Sequence, residues 1–192
     1  MFDEYYRVYS EKNTELWSLY HHNRISKEAL IVERFRYPLQ RVGAYNDKLV
    51  LQLNADYLSV LSEQGELVPQ ARELLDYLKS RSYRLHIISN GFKEVQFKKM
   101  KSAGIENYFE KIILSDEVGV NKPHPDIFRY ALNKTGSSKN TSLMIGDNYD
   151  ADILGAMRSG LDQVYFNPLQ KQISDEFPTY EVQTLSEICD IL

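Results

Sequence analysis

From Gly65 onward the chain alternates short apolar runs with helical stretches, and this alternation limits the fold more than any other feature of its 192 residues. Pro69 suits the first position of a helix reaching about Lys79, and Tyr83 to Ile88 is a strand-like apolar run. Lys93 to Ser102 reads as helix, Lys111 to Leu114 as strand, Pro125 to Asn133 as helix and Ser142 to Ile145 as strand. A helix from Ala151 to Arg158, a strand from Gln163 to Phe166 and a closing helix from Leu185 to Leu192 complete the pattern. Strands separated by helices of this length need crossover connections. The expected class is therefore α/β, a doubly wound parallel sheet with helices on both faces.

The stretch before Gly65 shows no strand pattern. Phe2, Tyr5, Tyr9, Leu16, Leu19 and Tyr20 recur at helical spacing up to about His22. A second helix is expected behind Ser26, ending near Tyr37 where Pro38 restricts its predecessor, and a third from Asp47 to Ser62. Residues 1–65 thus form a helical part and 66–192 an α/β part, without a Gly/Ser linker between them. The aromatic run Tyr5, Tyr6, Tyr9, Trp17 and Tyr20 is read mainly as packing rather than as a stacking surface for a base. His21 and His22 are adjacent, so they diverge on a helix and make a poor metal pair.

Composition narrows the function classes. Lys and Arg number 23 against 27 Asp and Glu, a net charge of −4, which disfavours a general nucleic-acid binder. The lysines Lys93, Lys98, Lys99 and Lys101 read as a solvated helix face. A single cysteine, Cys189, rules out an internal disulfide and suits a reducing compartment, so the cytoplasm is the expected location. No run of apolar residues is long enough for a membrane span, and no membrane partner is expected.

In open parallel sheets the binding crevice lies beyond the carboxyl ends of the strands. Three such ends carry chemistry, 33 and then 25 residues apart. Ser89-Asn90-Gly91 offers a hydroxyl and a turn whose N–H groups can face an anion, or is a plain Asn-Gly turn. Lys122 stands just before the helix opened by Pro125, where ammonium and helix dipole favour the same anion. Asp147, Asp150 and Asp152 crowd a loop and first helical turn, where carboxylates suit Mg²⁺ or cap the helix. Hydroxyl, ammonium and carboxylates together point to phosphoryl chemistry.

The segments Ile87-Ile88-Ser89-Asn90-Gly91, Lys122-Pro123-His124-Pro125-Asp126-Ile127-Phe128 and Gly146-Asp147-Asn148-Tyr149-Asp150-Ala151-Asp152 resemble, in order, the second, third and fourth motifs of the haloacid dehalogenase-like (HAD) hydrolases. Residues 1–65 resemble the carboxyl-terminal part of that family's helical cap and 66–192 its α/β core. Asn13 to Trp17 and Arg34 to Leu39 are similar to its nucleoside 5′-monophosphate phosphatases. The resemblance implies a Mg²⁺-dependent phosphohydrolase for a small phosphorylated substrate, a nucleoside monophosphate, acting through a phosphoaspartyl intermediate. It casts Ser89, Asn90 and Gly91 as phosphate binders, Lys122 as the cation that neutralises the phosphoaspartyl state, and Asp147 as a metal ligand. Asp152 would position Lys122 or support the metal; His124 lies beside Lys122 and has a claim on substrate.

The family's first motif, Asp-x-Asp-x-Thr after a first and central strand, is missing: the only Asp-x-Asp here is Asp150-Ala151-Asp152. The chain as printed is accordingly expected to be inactive, an N-terminally truncated form of a phosphatase. The alternative is a non-catalytic relic that binds phosphorylated ligands or a partner. The lost strand would lie between those ending at Ser89 and at Ile145. The chain alone is expected either to bring these two together or to leave unpaired ladder groups between them.

Overall fold

The computed structural model describes residues 2–173 and 176–192. The chain divides into two compact units, Met1–Gln64 and Gly65–Leu192.

The first unit holds helices α1 (Phe2–His21), α2 (Lys27–Arg41) and α3 (Asp47–Glu63). Ser26 and Asn46 cap α2 and α3, their side chains accepting from the Ala29 and Leu49 N–H groups at 3.2 Å each. Helix α2 does not end near Tyr37 but runs through Pro38 to Arg41. Proline removes one N–H and so one bond to the preceding turn. Its own carbonyl still accepts from Val42 at 3.1 Å, and burial of Pro38 and Leu39 holds the last turn in place. Phe35, Leu39 and Val50 form a core covered by Tyr5, Tyr9, Val32, Leu53 and Tyr57. Most of the aromatic run packs, Tyr9 stacking on Phe35 and Trp17 lying edge-on to Tyr20, while Tyr6 stays exposed.

The second unit runs α4 (Ala71–Ser80), β1 (Leu85–Ser89), α5 (Lys93–Ala103), β2 (Phe109–Leu114), α6 (Ser115–Val118), α7 (Pro125–Thr135), β3 (Leu143–Gly146), α8 (Gly155–Arg158), β4 (Asp162–Phe166), β5 (Tyr180–Val182) and α9 (Ile188–Ile191). Helix α4 starts two residues after Pro69, because Gln70 adopts φ 67°. The single helix expected from Ala151 to Arg158 is a wider π turn over Tyr149–Leu154 followed by α8. The closing helix opens with a tight turn over Leu185–Glu187, tied by a Thr184–Glu187 capping box.

Every strand pair is parallel, as the alternation requires. The sheet, however, is divided. Among the described residues β1 pairs only with β2, and β3 begins a separate three-stranded sheet in the order β3-β4-β5. The two parts belong to one layer, because the same helices cover both. Ile88 of β1 and Met144 of β3 pack on the cluster of Ile127, Phe128, Ala131 and Ala156 from α7 and α8. Leu85 of β1 and Leu143 and Ile145 of β3 pack on Leu74, Leu78 and Ile188 from α4 and α9. Of the two expected arrangements, the one with an unpaired edge on each of β1 and β3 is the one observed.

Candidate functional site

The carboxyl end of β1 delivers Ser89. Its Oγ accepts from the Gly91 N–H at 3.0 Å and from Gln96 Nε2 at 2.9 Å. With both acceptor positions used, the hydroxyl hydrogen is left to donate, and an oxyanion is a suitable acceptor. This bears on the expected role of Gly91 and adds a residue. The Gly91 N–H is turned inward on Ser89 rather than offered to a ligand, and Gln96, in the first turns of α5, orients the serine. Nothing in the sequence marked Gln96, since its role depends on α5 folding back over the strand end.

Beside the backbone role expected of it, Asn90 has a side-chain role. Its buried side-chain amide donates to the Lys122 carbonyl at 2.9 Å and accepts from the Lys122 N–H at 2.8 Å. This reciprocal pair fastens the loop before α7 to the end of β1 and brings Lys122 within reach of it. The Lys122 ammonium then donates to the Ile88 carbonyl at 2.7 Å and to Asp152 Oδ1 at 2.5 Å, with both side chains buried. A buried cation needs such compensation, because removing it from water costs several kcal/mol, on the order of the attraction a good partner returns.

Asp152 reaches Lys122 from the π turn. Its Oδ2 accepts from the Asn148 N–H at 3.1 Å, and a methyl group placed on Gly146 would overlap its carboxyl. Gly146 is therefore a position where only the absence of a side chain admits Asp152. Each Asp152 oxygen accepts one hydrogen bond within the protein, an arrangement that suits positioning of Lys122. Asn148 Oδ1 accepts from Ala151 N at 2.9 Å and caps the turn, which leaves Asp147 exposed at the end of β3. Burial, then the neighbouring Glu181 and Asp147 carboxylates, raise the Tyr165 phenol above its ordinary range. His124 is the capping residue of α7, its Nδ1 accepting from Asp126 N at 3.3 Å.

Ser89, Asn90, Lys122, Asp152 and Gly146 are thus joined at one end of the layer, with Asp147 on the chain between Gly146 and the π turn. Among the described residues no three His, Cys, Asp or Glu side chains gather as a metal cage would require. Among the described residues at this end of the layer, Asp147 offers an exposed carboxylate. That is compatible with Mg²⁺, which commonly uses one or two carboxylates and fills its octahedron with water and phosphate oxygens. None of the described helices is long and apolar enough to cross a membrane.

Residues 5–166 match the family described as haloacid dehalogenase-like hydrolase. The pyrimidine 5′-nucleotidase PynA of Streptococcus pneumoniae is 31% identical over 191 residues, covering 98% of this chain and 79% of that protein. The pyrimidine 5′-nucleotidase YjjG of Escherichia coli is 30% identical and covers 98% of this chain and 83% of its own length. The magnesium-bound crystal structure of the HAD-hydrolase YfnB of Bacillus subtilis superposes with a TM-score of 0.91 at 29% identity, over 100% of this chain and 83% of that one.

Proposed function

The chain belongs to the haloacid dehalogenase-like hydrolases, and from that premise we propose that its second unit is the phosphate-binding core of a nucleoside 5′-monophosphate phosphatase, with the helical first unit as its cap. The observation that carries this reading is Lys122, a buried ammonium fixed between the β1 carboxyl end and Asp152 and seated beside a serine whose proton is free to be donated. Ser89 donates to a phosphate oxygen, and Lys122 offsets negative charge there without drifting toward solvent. Both roles belong to phosphoryl transfer, where positioning and charge compensation supply most of the catalysis. Magnesium, held by Asp147, would screen the remaining phosphate charge. Pyrimidine nucleotides are the first substrates to try, since two relatives covering nearly the whole chain carry that activity in their names.

A phosphoaspartyl route requires a carboxylate that attacks phosphorus while the alcohol leaves. The 192 residues have one Asp-x-Asp, and its second aspartate is occupied by Lys122. The printed chain by itself is therefore read as a binder without turnover. Calorimetric titration of the purified chain with uridine 5′-monophosphate and Mg²⁺ tests this. Binding that uridine does not compete away, weakened by Ser89→Ala and unaccompanied by phosphate release, is expected. Lack of binding at millimolar nucleotide, or binding indifferent to Ser89, would end the reading; release of phosphate would end the part concerning turnover.

A further inference from the structure

Asn90-Gly91 is the chain's single Asn-Gly dipeptide, and its side chain is held by partners far along the sequence rather than left in an open turn. Asparagine followed by glycine is the pairing that most readily loses ammonia, because glycine carries no side chain to hinder the backbone approach the reaction needs. The Gly91 nitrogen, having given its proton to hydroxide, attacks Asn90 Cγ. The bond from Cγ to the side-chain nitrogen breaks, ammonia leaves with a proton from water, and a five-membered imide remains. Water then opens the ring at Cγ to give an aspartyl residue, or at the main-chain carbonyl to give an isoaspartyl one. The net change consumes water, releases ammonia and involves no oxidant or reductant.

Each atom that must move is engaged in the folded chain. The Gly91 N–H donates to Ser89 Oγ at 3.0 Å, so the nucleophile keeps its proton. Asn90 Nδ2, the leaving group, donates to the Lys122 carbonyl at 2.9 Å, while Oδ1 accepts from the Lys122 N–H at 2.8 Å. Two bonds to one residue fix the plane of the amide, and Cγ turns toward the Gly91 nitrogen only after both break. Asn90 is 6% exposed, which also keeps hydroxide and water from the reacting atoms.

Conversion removes what holds the dipeptide in place. A carboxylate has no hydrogen to give, so an oxygen would face the Lys122 carbonyl where the 2.9 Å bond had been, and a new charge would be buried there. The isoaspartyl product in addition routes the main chain through Cβ, lengthening it between Ser89 and Gly91. Either product cuts the tie between the end of β1 and the loop that carries Lys122.

We propose that Asn90 is a conditional deamidation site, closed while its amide clamps the Lys122 backbone, open when the clamp releases, and unable to close again once converted. A transient opening at the end of β1 is thereby turned into a permanent mark on the residue that fastens the Lys122 loop. The inference stands on the clamp and does not require the phosphatase reading.

The test ages the full chain in mildly alkaline water enriched in heavy oxygen and follows the tryptic peptide Leu85–Lys93, whose one asparagine is Asn90, by mass spectrometry. Conversion in the folded chain is expected to be about tenfold slower, or more, than in denaturing guanidinium chloride. Guanidinium below the unfolding transition should speed conversion in proportion to hydrogen exchange of the Lys122 amide, the clamp's own donor. It should not follow the amide of Ile113, fully buried in β2, which reports unfolding of the whole unit. After conversion and return to native buffer, the Lys122 amide should exchange about tenfold faster or more than in the parent, and in Asn90→Asp it should do so without ageing. Equal conversion in folded and unfolded chains overturns the proposal, as does a rate that follows Ile113, since global unfolding would then be the gate. Parent-like protection of the Lys122 amide in the converted chain or in Asn90→Asp overturns it too, because the clamp would have closed again.

Discussion

The Lys122 ammonium lies 2.5 Å from Asp152 Oδ1, and both side chains are almost wholly withdrawn from water. One cation thus connects the end of β1, the loop before α7 and the turn after β3, three segments whose sequence positions lie far apart.

Removing one member of such a pair strands the other. Asp152→Ala is expected to destabilise the second unit by about 3–5 kcal/mol, because the lysine is left buried and uncompensated. Asp152→Asn keeps acceptor and shape and should cost less, while Lys122→Met combined with Asp152→Leu should recover much of the loss. Urea unfolding of the three variants checks this. A double variant no better than Asp152→Ala would show that packing, not charge, sets the cost.

Gly146→Ala should act through the same pair. The added methyl overlaps the Asp152 carboxyl, so the aspartate must move away from Lys122 or the π turn must shift. Overpacking of this kind costs about 1–3 kcal/mol. Asp152→Ala keeps a Cβ that still meets the added methyl, so only in the Asp152→Gly background should the Gly146→Ala effect largely vanish, a non-additivity that a double-mutant cycle measures directly.

Ser89→Ala should weaken uridine monophosphate binding by roughly tenfold, the size of one hydrogen bond to a charged acceptor. Gln96→Ala leaves the hydroxyl in place but frees it to rotate, so a smaller loss with unchanged stability is expected. Equal losses for both would mean that Gln96 touches the ligand itself.

The sequence carried the alternation of elements well, because amphipathic helices and buried parallel strands leave clear periodicities. Ser89, Lys122 and Asp147 were legible from their positions after apolar runs. What it could not convey was the division of labour among neighbours. The Asn90 side chain binds the Lys122 backbone and Asp152 binds the Lys122 ammonium, roles that depend on contacts 30 or more residues apart in the chain. The three residues of β5 were too few to show a period, and α6 is a single turn. The π turn over Tyr149–Leu154 answers to the fit of Asp152 against Gly146, a tertiary demand with no local signature.

Acid should weaken the second unit through His86 on β1. Both of its ring nitrogens are buried without a hydrogen-bond partner, and burial lowers its pKa below 6.5, aided by Arg84 and Lys111 and opposed by Glu110. Well above pH 6.5 the imidazole is neutral in both folded and unfolded chains and contributes no pH dependence. As pH falls below that value the unfolded chain takes up the proton first, so stability declines until the folded pKa is reached. His86→Val should flatten this part of a stability-against-pH curve. An unchanged slope would assign the decline to other groups.

Arg34 provides the corresponding test in the first unit. It is 1% exposed, donates to Asn54 Oδ1 at 2.8 Å, and places its guanidinium 4.5 Å from the Tyr57 ring and 5.1 Å from that of Phe35. Among the described residues no carboxylate pairs with it, so the aromatic faces and one amide carry the compensation, and burial accordingly lowers its pKa. Desolvated cation–π contacts are worth about 2 kcal/mol. Arg34→Met keeps the length and apolar stem while deleting the charge, and should destabilise by about that amount; Arg34→Ala, which also opens a cavity, should cost more. Trp17, the chain's single tryptophan, sits on α1 and reports unfolding of this unit by fluorescence. A raised midpoint for Arg34→Met would mean that the buried guanidinium is a burden on the helical unit, retained for something other than its stability.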